Sequence, residues 1–398
     1  MRPQPQEIYL KTYIGDVLPK MRYEGPYKKA VDVAEYYGFH LIPALRVSRE
    51  DRECVGRTPC PADRVTLLRE YLERGMDGWA QPVQICHTCK LPYQDVLHFR
   101  LEAVGSRESA TEAVLIHTAY VILTEYGFEN ITVAVNSVGG KESLARLTRE
   151  LATYFKKHLD VMDPETREQF MSDVFAPLRS THPSCVTLKA GAPKPVSFLT
   201  ERSREHFAEV LEHLEVFGIP YHIKDDLVGS EHHTARTVFE LYTNEDGEPP
   251  VQRVLGFGER YDSLARTMRL GRKIPAVGVT IDLGKRPERE TIAAYKAGRL
   301  QRPLAYVIQV GPDARRGVLQ IVERLRQAHV PVALSFAEER LDHQMKHAEA
   351  LDVTALVIIG QKEIMDGTAI IRNRSTHVQR IVSQNHLPSH LKRLCAIY

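Results

Sequence analysis

Three patterns predict a mixed α/β protein in three parts: a mostly antiparallel core, a helical insertion and a compact α/β tail. The first is a hairpin signature. Residues 237–242 read TVFELY, a β-branched and aromatic run suited to a buried strand. Residues 244–250 (NEDGEPP) are dense in turn formers, and 251–257 (VQRVLGF) read as the returning strand. The second is the charged, amphipathic helical stretch that follows Gly140. The third is the alternation of short strands and helices from Pro303 onward, which predicts a small α/β unit with a largely parallel sheet.

The elements follow in order. Residues 27–37 (YKKAVDVAEYY) space their apolar side chains as a helix and stop at Gly38. Residues 39–47 read as a strand broken by Pro43, so it should lie at an edge. Residues 65–73 form a short amphipathic helix. Residues 82–86 and 96–104 pair as a hairpin, with a loop at 90–95. Residues 110–126 are apolar on most faces and predict a buried helix. A strand at 131–135 leads into a turn at 136–140, then helices at 142–159 and 164–175. The Pro-, Ser- and Gly-rich residues 178–195 predict a long surface loop. A helix at 205–217 ends at Gly218, and 276–283 (AVGVTIDL) is a central strand. Residues 285–302 hold the linker. In the tail, strands fall at 304–310, 330–335, 355–359 and 368–372, with helices at 315–328 and 338–350, a turn at 364–367 and a last helix starting within 375–382.

With 398 residues, the chain has ample core for two or three domains. Apolar residues make up 43% and charged residues 26%, at a net charge of +2, so any basic footprint must be local. No apolar run is long enough to span a bilayer, and the N-terminal stretch lacks an apolar signal core. A soluble, cytoplasmic protein with no membrane partner is expected. The six cysteines show no disulfide-scaffold spacing, which fits a reducing compartment.

Several residues stand out chemically. Polar side chains at the ends of the central hairpin (Arg236, Glu240, Arg260 and Asp262) make a plausible pocket wall. Cys86 and Cys89 have C-x-x-C spacing, and with Cys54 and Cys60 could complete a tetrahedral zinc site; buried free thiols are the alternative. Lys362, Arg372, Arg374 and Arg380 give the tail a basic group.

These segments resemble the histidyl-tRNA synthetases, class II aminoacyl-tRNA synthetases, along nearly the whole chain. Gly15-Asp16-Val17-Leu18-Pro19, Tyr36-Tyr37-Gly38-Phe39 and Pro43 are similar to the first motif, which builds the family's dimer interface. The FRLEAVG run at 99–105 is similar to the strand ending motif 2. Asn136-Ser137-Val138-Gly139 resembles the N-S-L-G turn, and Arg236-Thr237-Val238-Phe239-Glu240 the T-R-T-V-F-E peptide. Gly258-Glu259-Arg260-Tyr261-Asp262 resembles G-G-R-Y-D, and Pro275-Ala276-Val277-Gly278 motif 3. Residues 359–368 are similar to part of the anticodon-binding domain. The resemblance implies an α+β class II synthetase-like core, an antiparallel sheet flanked by helices, with a helical insertion and a C-terminal α/β anticodon-binding-like domain. The expected divisions are 1–139 and 223–286 for the core, 140–222 for the insertion with its return helix, 287–302 for the linker and 303–398 for the tail domain.

The departures are equally specific. The motif 2 arginine that holds the ATP α-phosphate falls where this chain has Ile85-Cys86-His87. The R-P-E-G-T segment falls near RTPCPADR at 57–64, which has no glutamate. The catalytic arginine of L-V-R-G-L-D-Y-Y aligns with Gly229 and its two tyrosines with His233 and Thr234. The motif 3 arginine aligns with Lys285. Carboxylate attack on an α-phosphate builds negative charge, which enzymes stabilise with positioned cations. Arginine's planar fork grips phosphate in a way lysine, glycine and isoleucine do not. A remnant pocket of Glu102, Arg236, Glu240, Arg260, Tyr261 and Lys285 is expected, with no residue assigned a catalytic role.

The leading expectation is therefore a homodimeric paralogue with a lapsed site that binds tRNA, a partner protein or a small ligand. In the family the tail contacts the anticodon stem-loop, so Lys362, Arg372, Arg374 and Arg380 become RNA-contact candidates. One alternative is a divergent active histidine–tRNA ligase, using ATP and magnesium, with Lys285 and Arg57, Arg64 or Arg100 substituting. Another is a regulatory subunit of an ATP phosphoribosyltransferase, whose members usually lack the tail domain.

Overall fold

The computed structural model describes residues 27–55, 62–79, 81–90, 97–245, 251–268, 273–284, 303–334 and 340–395. Its centre is an eight-stranded sheet in the order β1-β2-β3-β8-β7-β6-β4-β5. The strands are β1 (His40–Leu41), β2 (Val83–Lys90), β3 (Leu97–Val104), β4 (Thr132–Gly139), β5 (Tyr221–Ile223), β6 (Ala235–Glu245), β7 (Val251–Arg260) and β8 (Ala276–Ile281). The edge pairs β1–β2 and β4–β5 are parallel, and every pairing between them is antiparallel. The 237–257 hairpin is the β6–β7 pair, longer than its apolar run suggests, and β8 lies centrally between β3 and β7. Pro43 limits the first strand to two residues at the sheet edge.

Five major helices serve this sheet: α1 (Lys28–Tyr36), α2 (Ala62–Glu73), α3 (Ser109–Glu125), α4 (Lys141–Lys156) and α5 (Glu201–Val216). Helix α3 is buried along nearly its whole length, as its all-round apolar sequence requires. It packs between α1 and α5 over the face that carries Phe99, Leu101, Val277 and Val279. Helix α2 covers the opposite face, with Val65, Leu68 and Tyr71 against Val83, Ile85 and Tyr261.

The tail forms a second sheet, β10-β9-β11-β12-β13. Its strands are β9 (Ala305–Val310), β10 (Val332–Ala333), β11 (Ala355–Gly360), β12 (Thr368–Asn373) and β13 (Gln379–Ser383). Helices α6 (Pro312–Gln327), α7 (Leu341–Ala350), α8 (Gln361–Met365) and α9 (Leu387–Cys395) complete it. Helix α6 docks the tail onto the core. Tyr36 donates to the carbonyls of Val322 (3.3 Å) and Val330 (3.2 Å), Tyr37 donates to Glu323, and Arg326 bridges Glu323 and Glu125. The Tyr36-Tyr37 pair, expected at a dimer interface, thus faces the chain's own tail.

Four local expectations are corrected. Residues 136–139 continue β4 with a bulge rather than turning. Residues 178–195 are not a loop: His182 caps a helix at Pro183–Ala190, because Pro183 presets the first helical φ. Residues 379–383 form the strand β13, not the start of a helix, since pairing with β12 outweighs helical spacing. Finally, β12 and β13 are antiparallel, so only the β10-β9-β11 half of the tail sheet is parallel. The loop at 91–95, the turn at 246–250, the linker and the motif at 15–19 lie outside the described residues.

Candidate functional site: a buried charge floor and an open basic cavity

Strand register sets the first site. His40, Ile85, Glu102, Gly278, Glu259, Val238 and Asn136 form one row across seven strands, and directly opposed residues share a face. Glu102 and Glu259 flank Gly278. A Cβ on Gly278 would lie 1.6 Å from Glu102 Oε2, so only glycine leaves Glu102 its place. Helix α2 lowers Arg64 onto this row. Its Nη1 is 2.5 Å from Glu259 Oε1, its Nε is 3.6 Å from Glu102 Oε1, and its guanidinium lies 4.6 Å above the Tyr261 ring. Arg100 Nη1 is 3.0 Å from Asp63 Oδ2 and 3.5 Å from Glu102 Oε1. Tyr261 donates to Glu102 Oε2 at 2.7 Å. Arg64, Arg100, Glu102 and Glu259 are each at most 4% exposed.

Two cations thus meet three carboxylates in a largely buried floor. Burial pushes the Glu102 carboxyl up, against the pull of Arg64, Arg100 and Tyr261. Burial acts the same way on Glu259, but His233, Arg64 and the Thr234 hydroxyl together hold it well below the ordinary range. His233 and Thr234, which align with the family's two tyrosines, both contact Glu259. Gly229, which aligns with its catalytic arginine, has no room for a side chain: a Cβ would lie 2.1 Å from both Glu259 Oε2 and Thr234 Oγ1. The Arg100 ion pairs are close but poorly aligned, and all three of its guanidinium nitrogens lack a hydrogen-bond partner.

On the other face, Arg260 is fully buried. It donates to Glu112 (3.0 Å) and the Ser106 carbonyl (2.9 Å), and pairs with Asp262 at 3.2 Å. His206 Nε2 meets the second Glu112 oxygen at 2.6 Å. Although burial opposes it, Arg260 and His206 hold the Glu112 carboxyl well below its ordinary range. This clamp ties α3, α5 and the end of β7 together.

Beyond the clamp lies an open cavity of about 300 Å³. Its wall combines the glycines that end β4, the starts of α4 and α5, and the segment after β7. The two helix starts are locked side by side: Gly140 N–H donates to Ser203 Oγ, and Thr200 N–H to Ser143 Oγ. Arg236 enters from a β-bulge at φ +55°, left-handed backbone that a non-glycine residue rarely adopts.

Of the six residues expected in one pocket, the five that are described are dispersed. Glu102 and Tyr261 lie in the floor, Arg260 in the clamp and Arg236 in the cavity. Glu240 pairs with Lys224 at 3.0 Å, and Lys285 is outside the described residues. Arg64 and Arg100 reach the floor; Arg57 is outside the described residues. Asp63, Glu259 and Glu112 escaped the sequence reading. Alternation along β3 puts Arg100 and Glu102 on one face, a signal of a paired-charge site, but their partners come from distant segments.

The zinc expectation fails on geometry. Residues 86–90 extend β2, and an i, i+3 spacing on a strand puts Cys86 and Cys89 on opposite faces. Both thiols are buried and free, as the alternative holds, and burial raises them, Cys89 to about 11. Cys54 belongs to the helix Arg49–Val55, and Cys60 is outside the described residues. Among the described residues no group of three or more His, Cys, Asp or Glu could hold a metal ion.

The basic group of the tail is likewise divided. Ile371 opposes Arg380 while Arg372 opposes Gln379, so Arg372 and Arg380 occupy opposite faces. Arg374 donates to the Val353 carbonyl at 3.0 Å, and Lys362 is exposed on α8. Among the described residues no helix is long and apolar enough to cross a membrane.

Residues 305–394 match the family described as the anticodon binding domain. The chain is 27% identical over 348 residues to the histidine–tRNA ligase of Chloroherpeton thalassium, covering 84% of this chain and 80% of that one. It is 27% identical over 403 residues to the histidine–tRNA ligase of Acholeplasma laidlawii, covering 96% and 92%. The apo histidyl-tRNA synthetase of S. aureus shares the fold at a TM-score of 0.53 and 18% identity, covering 94% of this chain and 98% of that one. Fold, site row and tail define a class II aminoacyl-tRNA synthetase-like protein with an anticodon-binding domain. Within that class the chain is similar to histidine–tRNA ligases along most of its length, at 24–27% identity.

Proposed function

We propose that this chain is a non-catalytic paralogue that binds tRNA or a regulatory partner. The pairing inside the floor carries this reading. A catalytic arginine must present free donors to charge that develops in the transition state. Arg64 instead donates to Glu259. Arg100 is 1% exposed between Asp63 and Glu102 and so is walled off from a ligand, although its nitrogens make no hydrogen bond. Gly229 leaves no space for a third guanidinium. Each preorganised donor lost typically costs about a hundredfold or more in rate.

Histidine-dependent ATP–pyrophosphate exchange, run with magnesium, tests the reading. Exchange at background is expected, and robust exchange overturns it. The convergence of Arg64 and Arg100 favours the second reading, a divergent active ligase, and robust exchange lost in Arg64→Lys would establish it. RNA binding by the tail is tested by filter binding of tRNA over a salt series. Saturable binding that weakens as salt rises supports it, whereas salt-insensitive or absent binding removes the RNA half of the proposal and leaves a protein partner. A homodimer, as in the resembled family, is part of the same proposal and is read by sedimentation.

A further inference from the structure

We propose that the basic cavity at the starts of α4 and α5 binds a small molecule through a phosphate or diphosphate group, at a site separate from the synthetase row. Six cationic side chains line it: Arg107, Lys141, Arg202, Arg236, Arg266 and Lys273. Its two carboxylates already have partners. Asp262 pairs with Arg260 and accepts from the Ala276 N–H, and Glu142 pairs with Arg146. Among the described residues none of the six cations makes an ion pair.

Like charges gathered around one concavity add their fields, so an anion entering it is attracted by several cations at once, although solvent screens the five exposed ones. The two helix N-termini add a favourable field for an anion. Arg236 makes the case specific. Its backbone is held left-handed by the bulge, and burial, with the Arg260 and Arg202 cations, disfavours its charge against the pull of Glu112 and Asp262. Strain and desolvation of this kind concentrate at ligand-binding positions. A volume of about 300 Å³ suits a small ligand and no folded partner.

The site is independent of whether the floor catalyses, and its test reads binding alone. Pyrophosphate, inorganic phosphate and AMP are titrated calorimetrically into the full chain. Saturable one-to-one binding that weakens with salt is expected. Arg236→Gly removes the guanidinium while suiting the left-handed backbone, so it should fold normally and bind about ten- to a hundredfold more weakly. Arg202→Ala and Lys141→Ala, on exposed first turns, should weaken binding with unchanged thermal midpoints. The proposal is overturned if none of the three ligands binds. It is also overturned if binding survives Arg236→Gly and Arg202→Ala, which would locate the anion elsewhere, or if a short RNA displaces pyrophosphate at comparable concentration, which would make the cavity part of an RNA track.

Discussion

The floor beside Tyr261 and the cavity at the start of α4 are both rich in arginine, yet only in the cavity do the cations make no ion pair among the described residues. In the floor every guanidinium faces a carboxylate and is at most 2% exposed. In the cavity the cations face open space and the nearby acids are engaged elsewhere. Arginine content therefore says little about anion binding. What matters is whether a carboxylate reaches the guanidinium first.

This contrast can be broken or sharpened by substitution. The largest effect is expected at Arg64. Removing it takes a buried cation from both Glu102 and Glu259, leaving Glu259 only His233 and Thr234, and Arg64→Ala should lose about 3–5 kcal/mol in urea unfolding. Arg266→Ala, in the cavity, should stay within about 0.5 kcal/mol of the parent. Equal losses at the two positions would erase the distinction between them. Next is Gly278→Ala, whose methyl group collides with Glu102 Oε2; about 1–3 kcal/mol is expected from such overpacking.

A pH series sharpens the comparison further. Glu259 is depressed in the folded chain, so its stabilising contribution is full above the unfolded glutamate pKa of about 4.3 and is lost as pH falls towards its folded value. The destabilisation caused by Glu259→Gln should be complete at neutral pH and fade in acid. An equal loss at pH 7 and pH 3 in urea midpoints would show that the charge on Glu259 is not what counts. A small effect is also expected for Arg236→Gly. Relief of the left-handed strain offsets the flexibility of glycine, and stability should stay within about 1 kcal/mol by thermal unfolding. A larger loss would mean that the guanidinium holds the fold rather than a ligand.

The fold was largely legible in the chain, because periodicity is local. Apolar alternation gave β6, β7 and β8, and the apolar stretch at 110–126 gave the buried helix α3. Errors fell where distant pairing overrides local composition: β13, formed against β12, and Cys89, drawn into β2 by β3 beyond the strand expected at 82–86. The candidate site was legible only in part. Glu102 and Tyr261 were named together and do touch, while Arg236, Arg260 and Glu240 went to three different surroundings.

By itself the sequence determined the scaffold, since apolar periodicity is written in residue type and order. Only the tertiary structure decided what the remaining arginines face. Arg64 and Glu259 are 195 residues apart in the chain, and Arg260 and Glu112 are 148 apart. Charge pairing depends on distance in space and on burial, and neither follows from position along the chain.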